Sequence, residues 1–228
     1  MSTVSTKHKR LLLIDTCGET AGVALCDEER MLASEDLTPG SASAEILRAI
    51  RRLLTQLNWH PRDLHAIGVV RGPGSFTGIR TGLATAKGLC ESLALPLASI
   101  SRLEVLAEAA GLYSGFAALD AGRGELYLRD VASTREWLSS SEDLIRNRDG
   151  SIVAIAEPRL ADKLAGVPTA LHPLHVADAL PAILRKLRKE SSDAALANVA
   201  AVDANYVRGE EDIYQKSPSR PKPERQIL

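Results

Sequence analysis

Cysteine is rare in this chain, and the few cysteines do not form the patterns that cysteine chemistry uses. The 228 residues contain only Cys17, Cys26 and Cys90, which form no Cys-x-x-Cys pair and lie in apolar stretches. Zinc sites and redox dithiols use closely spaced pairs, and small secreted domains use dense disulfide frameworks. We therefore expect three small buried thiols in a reducing compartment.

Long apolar runs and an excess of one charge are also missing. The run after the basic start, Leu11 to Ile14, is far shorter than a signal peptide or a membrane span requires. The formal net charge is -1, so the surface as a whole does not favour nucleic acid or a membrane. Hydrophobic residues make up 45% and charged residues 25%, as in ordinary globular proteins. We expect a cytoplasmic protein without membrane association.

The motifs of metallohydrolases and serine hydrolases are missing as well. No His-Glu-x-x-His segment occurs, and the spacing of His60 and His65 would place them on different faces of a helix. Ser75, in GPGSFTG, lacks the Gly-x-Ser-x-Gly spacing of a nucleophile elbow. The sequence therefore predicts no metal site and no catalytic residue of these kinds.

What is present is an α/β pattern that starts twice. Residues 11–25, LLLIDTCGETAGVAL, are echoed by residues 116–128, FAALDAGRGELYL, and each contains an apolar strand ending in Asp, a polar turn and a second strand. Further strands are predicted at 31–37, 66–70, 95–100 and 151–156, and helices at 44–57, 76–94, 101–112, 158–164 and 176–189. Two α/β segments can match this well by accident, but a duplication would give two strand-rich lobes.

The predicted division of the chain follows this echo. We place an N-terminal α/β lobe at 1–105, a C-terminal α/β lobe at 106–215 and a flexible basic tail at 216–228. The tail holds three prolines and the cations Lys216, Arg220, Lys222 and Arg225. A solvated tail is the simpler interpretation, and attraction to nucleic-acid phosphate is the alternative.

The stretch RGPGSFTGIRTGLATAKG, residues 71–88, contains glycines but does not match a phosphate-binding loop. A Walker loop needs a Gly, four residues, then Gly-Lys, whereas here five residues separate Gly82 from Gly88 and Lys87 precedes its glycine. The spacing of Gly72, Gly74 and Gly78 also differs from a dinucleotide fingerprint.

Instead, small residues recur at every fourth position of the predicted helix. Gly78, Gly82, Ala86 and Cys90 would line one ridge, preceded by Gly74 in a turn that Ser75 or Thr77 can close as a helix cap. Each glycine inside a helix costs about 1 kcal/mol relative to alanine, so close packing must offset that cost. The ridge packs either against the chain's own sheet or first helix, or against another protein.

The order of these segments resembles one family. LLLIDTCGETAGVAL, GVVRGPGSFTGIRTGLATAKGL, LPLASISRLEVLA and ALDAGRGELY together are similar to the bacterial tRNA threonylcarbamoyladenosine biosynthesis proteins of the TsaB (YeaZ-like) family. The similarity covers residues 11–128, and beyond them only ANYVR at 204–208 matches. The resemblance implies the two-lobed fold of actin, sugar kinases and heat-shock ATPases.

The resemblance also implies a function without catalysis. Family members pair with a TsaD-like catalytic subunit and a TsaE-like ATPase, and the assembly transfers a threonylcarbamoyl group to adenosine 37 of tRNA. Members form homodimers when alone, and we expect tRNA contact only through the complex and no cofactor in this chain. The pairing uses helices that correspond here to 43–57 and 76–94, so the expected partner-contacting residues are Leu47, Ile50, Leu54, Gly74, Gly78, Gly82 and Ala86.

Two alternatives remain open at this point. Asp15 and Thr16 end the first strand, where kinases of the two-lobed fold bind metal and phosphate, although Asp-Thr-Cys-Gly-Glu-Thr is a poor match to a phosphate turn. These residues either contact a nucleotide or cap the strand end. The chain could then be an independent ATP-dependent kinase, or a homodimeric binding module without an enzymatic partner.

Overall fold

The structure, a computed structural model, describes residues 9–38, 40–147, 149–189 and 199–207. The first half contains β1 (Leu11–Asp15), β2 (Gly22–Cys26), β3 (Met31–Asp36), α1 (Ala42–Gln56), β4 (Ala66–Val70), α2 (Phe76–Leu93), β5 (Leu97–Ile100) and α3 (Arg102–Ala109). The second half contains β6 (Phe116–Gly122), β7 (Glu125–Asp130), β8 (Glu136–Ser140), α4 (Ser141–Asn147), β9 (Val153–Ile155), α5 (Arg159–Lys163), β10 (Thr169–Leu171) and α6 (Leu180–Lys189).

The two five-stranded sheets have the same topology. Their strand orders are β3-β2-β1-β4-β5 and β8-β7-β6-β9-β10. In each sheet the first three strands form an antiparallel meander, and the fourth and fifth strands are parallel to the first. The predicted two-lobed α/β fold is confirmed, and the echo at residues 116–128 is the structural counterpart of the first hairpin.

Every residue of β1 is buried, because this central strand is covered on both faces of its sheet. On one face, α1 packs against β2 and α2 packs against β4. On the other face, α6 packs against β5, and Ile183 of α6 fills the space above Gly68 of β4. A helix from the second half of the chain, α6, therefore completes the first lobe.

The second sheet separates two apolar layers, as the two-residue period of a strand requires. Ala117 and Leu119 face a large core that continues into the first lobe, whereas Ala118 faces a smaller core beneath α4 and α5. Because the larger core crosses the lobe boundary, the two lobes share one packed interior. The domain limits 1–105 and 106–215 stay predictions, and the tail at 216–228 lies outside the described residues.

Some elements differ from the sequence-based prediction. α3 ends at Ala109 and not at 112, and the helix predicted at 176–189 is a short 3-10 turn, Val176–Ala179, followed by α6. The prediction omitted β8, α4 and β10. Among the described residues, none of the helices combines the length and apolar composition that crossing a bilayer requires.

Candidate functional site

The predicted glycine ridge packs against the end of β1. A Cβ atom built at Gly74 would overlap the carbonyl oxygen of Cys17, and one built at Gly78 would overlap the carbonyl oxygen of Thr16. A Cβ atom at Gly82 would overlap the Thr16 hydroxyl oxygen. That hydroxyl donates a 2.6 Å hydrogen bond to the Gly78 carbonyl. The ridge therefore lets α2 lie directly on the first strand, while partner contact by these three glycines stays a prediction.

The other expected contact residues differ in their exposure to solvent. Ile50, Leu54 and Ala86 are buried in the chain's own core, so their side chains are not available to a partner on this surface. Leu47 is 60% exposed on α1 and is the one residue of the predicted set that projects well into solvent. Partner contact by the predicted residues of α1 and α2 stays a prediction, and among their side chains Leu47 is the most accessible.

A second small-residue ridge lies on the outer side of α2, facing away from the core. Its members, at spacings of four, three and four, are Thr77, Thr81, Ala84 and Gly88. Thr77, Ala84 and Gly88 are exposed, and a Cβ atom at Gly88 would meet no atom within 4 Å. We call these four residues the outer ridge. Sequence reasoning missed it because Gly88 falls outside the four-residue register of the inner glycines.

A cleft of about 460 Å³ lies between the lobes, beside the start of α2. The ends of β1 and β6 meet there, each followed by a polar turn, and Ser43, Thr77 and Thr81 of α1 and α2 also line the cleft. This is where the duplicated topology brings together the two Asp-containing turns that sequence reasoning identified.

At the base of the first turn, Asp15 and Thr16 are both buried. Burial raises the pKa of the Asp15 carboxyl, although the charge of Arg102 and the amide of Cys17 act in the opposite direction. The Cys17 amide donates to Asp15 Oδ1 over 2.8 Å, and the Thr16 hydroxyl is bonded to Gly78. These contacts support the strand-end interpretation, and nucleotide contact at Asp15 and Thr16 stays a prediction.

The charged side chains that line the rest of the cleft form ion pairs with one another. Arg102, only 6% exposed, lies against Gly18 and pairs through Nη1 with Glu157 Oε1 at 3.3 Å. Arg159 joins the lobes by bonding Glu19 at 2.6 Å from its Nη1 atom and Asp120 at 2.9 Å from its Nε atom. Each cation of the cleft therefore already has a carboxylate partner from this chain.

Asp120 of β6 corresponds to Asp15 but is less deeply buried. Burial raises the pKa of Asp120, but the amide of Gly122 together with Lys163 and Arg159 outweighs it and lowers the pKa below its ordinary value. Lys163 Nζ lies 3.1 Å from Asp120 Oδ2. The pKa values of the duplicated aspartates thus shift in opposite directions, because burial dominates at Asp15 whereas hydrogen bonds and cations dominate at Asp120.

The three cysteines are buried and unpaired. The Cys17 thiol donates to the Val70 carbonyl, and burial raises the pKa of Cys26 and of Cys90 to about 12. Within the described parts of the chain, His, Cys, Asp and Glu side chains form no group of three that could hold a metal ion.

Comparison with known proteins places these features in a family. The model of the family described as TsaD: tRNA N6-adenosine threonylcarbamoyltransferase matches residues 40–156, slightly more than half of the 228 residues. The chain belongs to this family. The matched segment includes α1, α2 and the cleft residues Arg102 and Asp120.

Individual relatives show that the chain is TsaB-like. The tRNA threonylcarbamoyladenosine biosynthesis protein TsaB of Escherichia coli is 37% identical over 122 residues, which are 52% of this chain and 53% of that protein. TsaB of Bacillus subtilis is 38% identical over 121 residues, 51% of this chain and 52% of that protein. The chain thus spans about half the length of the curated relatives it matches.

Solved structures agree on the fold. A Pseudomonas aeruginosa protein with similarity to peptidase YEAZ superimposes with a TM-score of 0.73 at 24% identity, covering 88% of this chain and 100% of that one. YeaZ from Pseudomonas aeruginosa gives a TM-score of 0.65 at 24% identity, covering 84% and 97%. The TsaB-like assignment rests on the sequence relatives, and these structures support the two-lobed fold.

Proposed function

We propose that this chain is a non-catalytic scaffold subunit of a tRNA threonylcarbamoyladenosine modification complex. In this role it docks on a TsaD-like catalytic subunit, works with a TsaE-like ATPase, and forms homodimers when alone. The names of its relatives support the pathway, because they include TsaB proteins and a tRNA N6-adenosine threonylcarbamoyltransferase of Thermus thermophilus, 31% identical over 140 residues.

The observation that carries the docking proposal is the exposed glycine of the outer ridge. The inner glycines are explained by contacts with Thr16 and Cys17, whereas Gly88 lies in the helix interior with open space above it. A helix-interior glycine costs about 1 kcal/mol relative to alanine, and nothing within 4 Å in the described chain offsets that cost at Gly88. A partner helix lying close to the backbone of α2 would do so.

Leu47 extends this surface onto α1, which packs beside α2. We call Leu47 and the outer ridge together the docking face. An exposed leucine beside a smooth ridge suits helix-on-helix packing, since one helix supplies the protruding side chain and the other supplies the space.

The cleft supports a role without chemistry of its own. Its buried cation, Arg102, is paired with Glu157, and Arg159 is paired with Glu19 and Asp120. A nucleotide phosphate bound there would have to displace these carboxylates or face their charge. On this proposal the chain acts by holding its partner in a competent state, which is a population shift of the bound subunit.

The docking face is tested by placing a large side chain on the outer ridge. Gly88→Leu should leave the chain folded, because the added side chain meets open space, and should reduce affinity for the TsaD-like subunit by at least tenfold. Arg188→Leu, at an exposed position of α6, introduces the same side chain away from the docking face and serves as the control. Affinities are measured by titration calorimetry on the two subunits. Equal affinity of Gly88→Leu and wild type would remove the docking face from the proposal.

A further inference from the structure

The last described segment of the chain returns to the first lobe and lies along α2. We call residues 199–207 the strap. Its Asn205 amide donates to the Arg71 carbonyl at 2.7 Å, and the Asn205 side chain donates to Ser101 Oγ at 3.3 Å and to Glu136 Oε2 at 2.6 Å. Three bonds from one residue thus fix the strap at the junction of the two lobes.

The strap carries an aromatic side chain onto the start of α2. The rings of Tyr206 and Phe76 lie 5.6 Å apart between centroids, with 31° between their planes. Both remain open to solvent, since Phe76 is 50% exposed and Tyr206 is 44% exposed. Aromatic residues make up only 4% of the chain, so two exposed rings in contact are a distinct surface feature.

Cations surround the strap without carboxylate partners. The Arg80 guanidinium lies 3.8 Å from the centre of the Phe76 ring, and its Nε donates to the Tyr206 hydroxyl at 3.2 Å. Lys87 donates to the Ala200 carbonyl and Lys186 to the Ser99 carbonyl. Arg71 and Lys186 line a small polar pocket beside Ala201, Val202 and Asp203. Within the described residues, none of these four cations forms an ion pair, unlike Arg52, Arg102, Arg129, Arg159 and Arg185 elsewhere.

The sequence beyond the strap is mixed in charge, because Glu210, Glu211 and Asp212 precede a basic tail. Residues 216–228 contain Lys216, Arg220, Lys222 and Arg225 and a single acidic residue, Glu224. The strap itself contributes one carboxylate, Asp203, which accepts the Ala204 amide. Cations therefore outnumber carboxylates around the strap and in the tail at 216–228, but not in the acidic residues that join the two.

We propose that Phe76, Tyr206 and the cations Arg71, Arg80, Lys87 and Lys186 form a surface that binds unpaired RNA. Exposed rings and an arginine plane stack on splayed bases, and unpaired lysines and arginines contact phosphates, which is the combination that single-stranded RNA requires. Lysine, unlike arginine and the aromatic residues, is depleted at protein interfaces, so Lys87 and Lys186 favour RNA over a protein partner. This inference rests on the proposed function, whose tRNA substrate offers unpaired loop bases. It departs from the expectation of tRNA contact only through the complex, because it gives the chain a direct contact with that substrate.

The test measures fluorescence anisotropy of a labelled single-stranded RNA of mixed sequence, titrated with the full chain at low salt. The same RNA annealed to its complement is the second probe. Phe76→Ala and Tyr206→Ala should each weaken single-strand binding by roughly 5- to 100-fold, the loss expected for one stacked base. Tyr113→Ala, which removes a 96% exposed ring elsewhere, is the matched control and should bind like wild type.

Further variants separate the effect of ring stacking on RNA affinity from the effect of charge and from the effect of displacing the strap. Tyr206→Phe keeps the ring and should retain affinity, whereas Arg80→Gln and Lys87→Gln should weaken binding and flatten its salt dependence. Asp203→Asn should strengthen it. No binding by wild type, equal binding of single strand and duplex, or an unchanged affinity of Phe76→Ala would each overturn the inference.

The inference and the proposed function can fail separately. The RNA measurement uses this chain alone, while docking is measured with the TsaD-like subunit. If Phe76→Ala and Tyr206→Ala lose affinity for that subunit but not for RNA, the surface is a protein contact and the RNA inference is wrong. If RNA binding follows the predicted series and Gly88→Leu still docks, the docking face fails and the RNA surface stands.

Discussion

The two kinds of glycine in α2 predict opposite responses to the same substitution. Gly88→Ala adds a methyl group where nothing lies within 4 Å, so only helix propensity changes. Alanine exceeds glycine by about 1 kcal/mol at such a position, and the variant should be more stable by about that amount. For a chain of this size, that corresponds to a melting temperature about 2–4 °C higher.

Gly82→Ala adds the same methyl group against the Thr16 hydroxyl oxygen. Overpacking of this kind costs about 1–3 kcal/mol. Moving the hydroxyl away also breaks its bond to the Gly78 carbonyl, at about 1 kcal/mol, which cancels the propensity gain. The expected net effect is a loss of about 1–3 kcal/mol, or about 2–12 °C in melting temperature.

Both variants are measured by thermal and urea unfolding followed by circular dichroism. The reasoning requires opposite signs, so each substitution controls for the other. If Gly82→Ala is as stable as Gly88→Ala, the inner ridge is not closely packed on β1 and the assignment of the two faces of α2 is wrong. If Gly88→Ala is destabilised, the outer ridge is not open.

Three further outcomes are expected. Leu47→Asp should weaken docking on the TsaD-like subunit without lowering the melting temperature, since this side chain is 60% exposed; a folding defect would place Leu47 in the chain's own packing. The pKa of Asp120 is lowered in the fold, so its charge stabilises the protein above the ordinary carboxyl pKa. Asp120→Asn should therefore destabilise the protein at neutral pH, and the difference from wild type should shrink as pH falls through the acidic range. Urea titrations at several pH values would measure this difference. A thiol reagent at neutral pH should not label Cys17, Cys26 or Cys90 until the chain unfolds, because burial raises the pKa of all three thiols. Rapid labelling of the native chain would contradict their placement.

Much of the fold could be predicted from local pattern. The apolar run Leu11–Asp15 and its echo at 116–128 have the length and boundaries of strands, and the repeated topology follows from that echo. The elements that were missed are short and half-buried. β8 has no fully buried residue and β10 ends in an exposed leucine, so neither shows a clear alternation of apolar and polar residues.

The candidate site was less predictable, because it depends on which face of a helix meets the core. The four-residue spacing of Gly74, Gly78 and Gly82 correctly indicated close packing, but a ridge has the same appearance whether it meets its own chain or another. The strap could not be foreseen either, since Tyr206 and Phe76 are far apart in sequence and meet through tertiary contacts of Asn205 and Arg80. Tertiary contacts decide both questions.

The most direct test of the scaffold proposal is reconstitution of tRNA threonylcarbamoylation. The matching TsaD-like and TsaE-like proteins are supplied with threonylcarbamoyl-adenylate and tRNA, with and without this chain. The proposal predicts modified adenosine only when the chain is present, and unimpaired activity with Asp15→Ala if that variant folds. The same yield without the chain would contradict the scaffold role and would bring the kinase alternative forward.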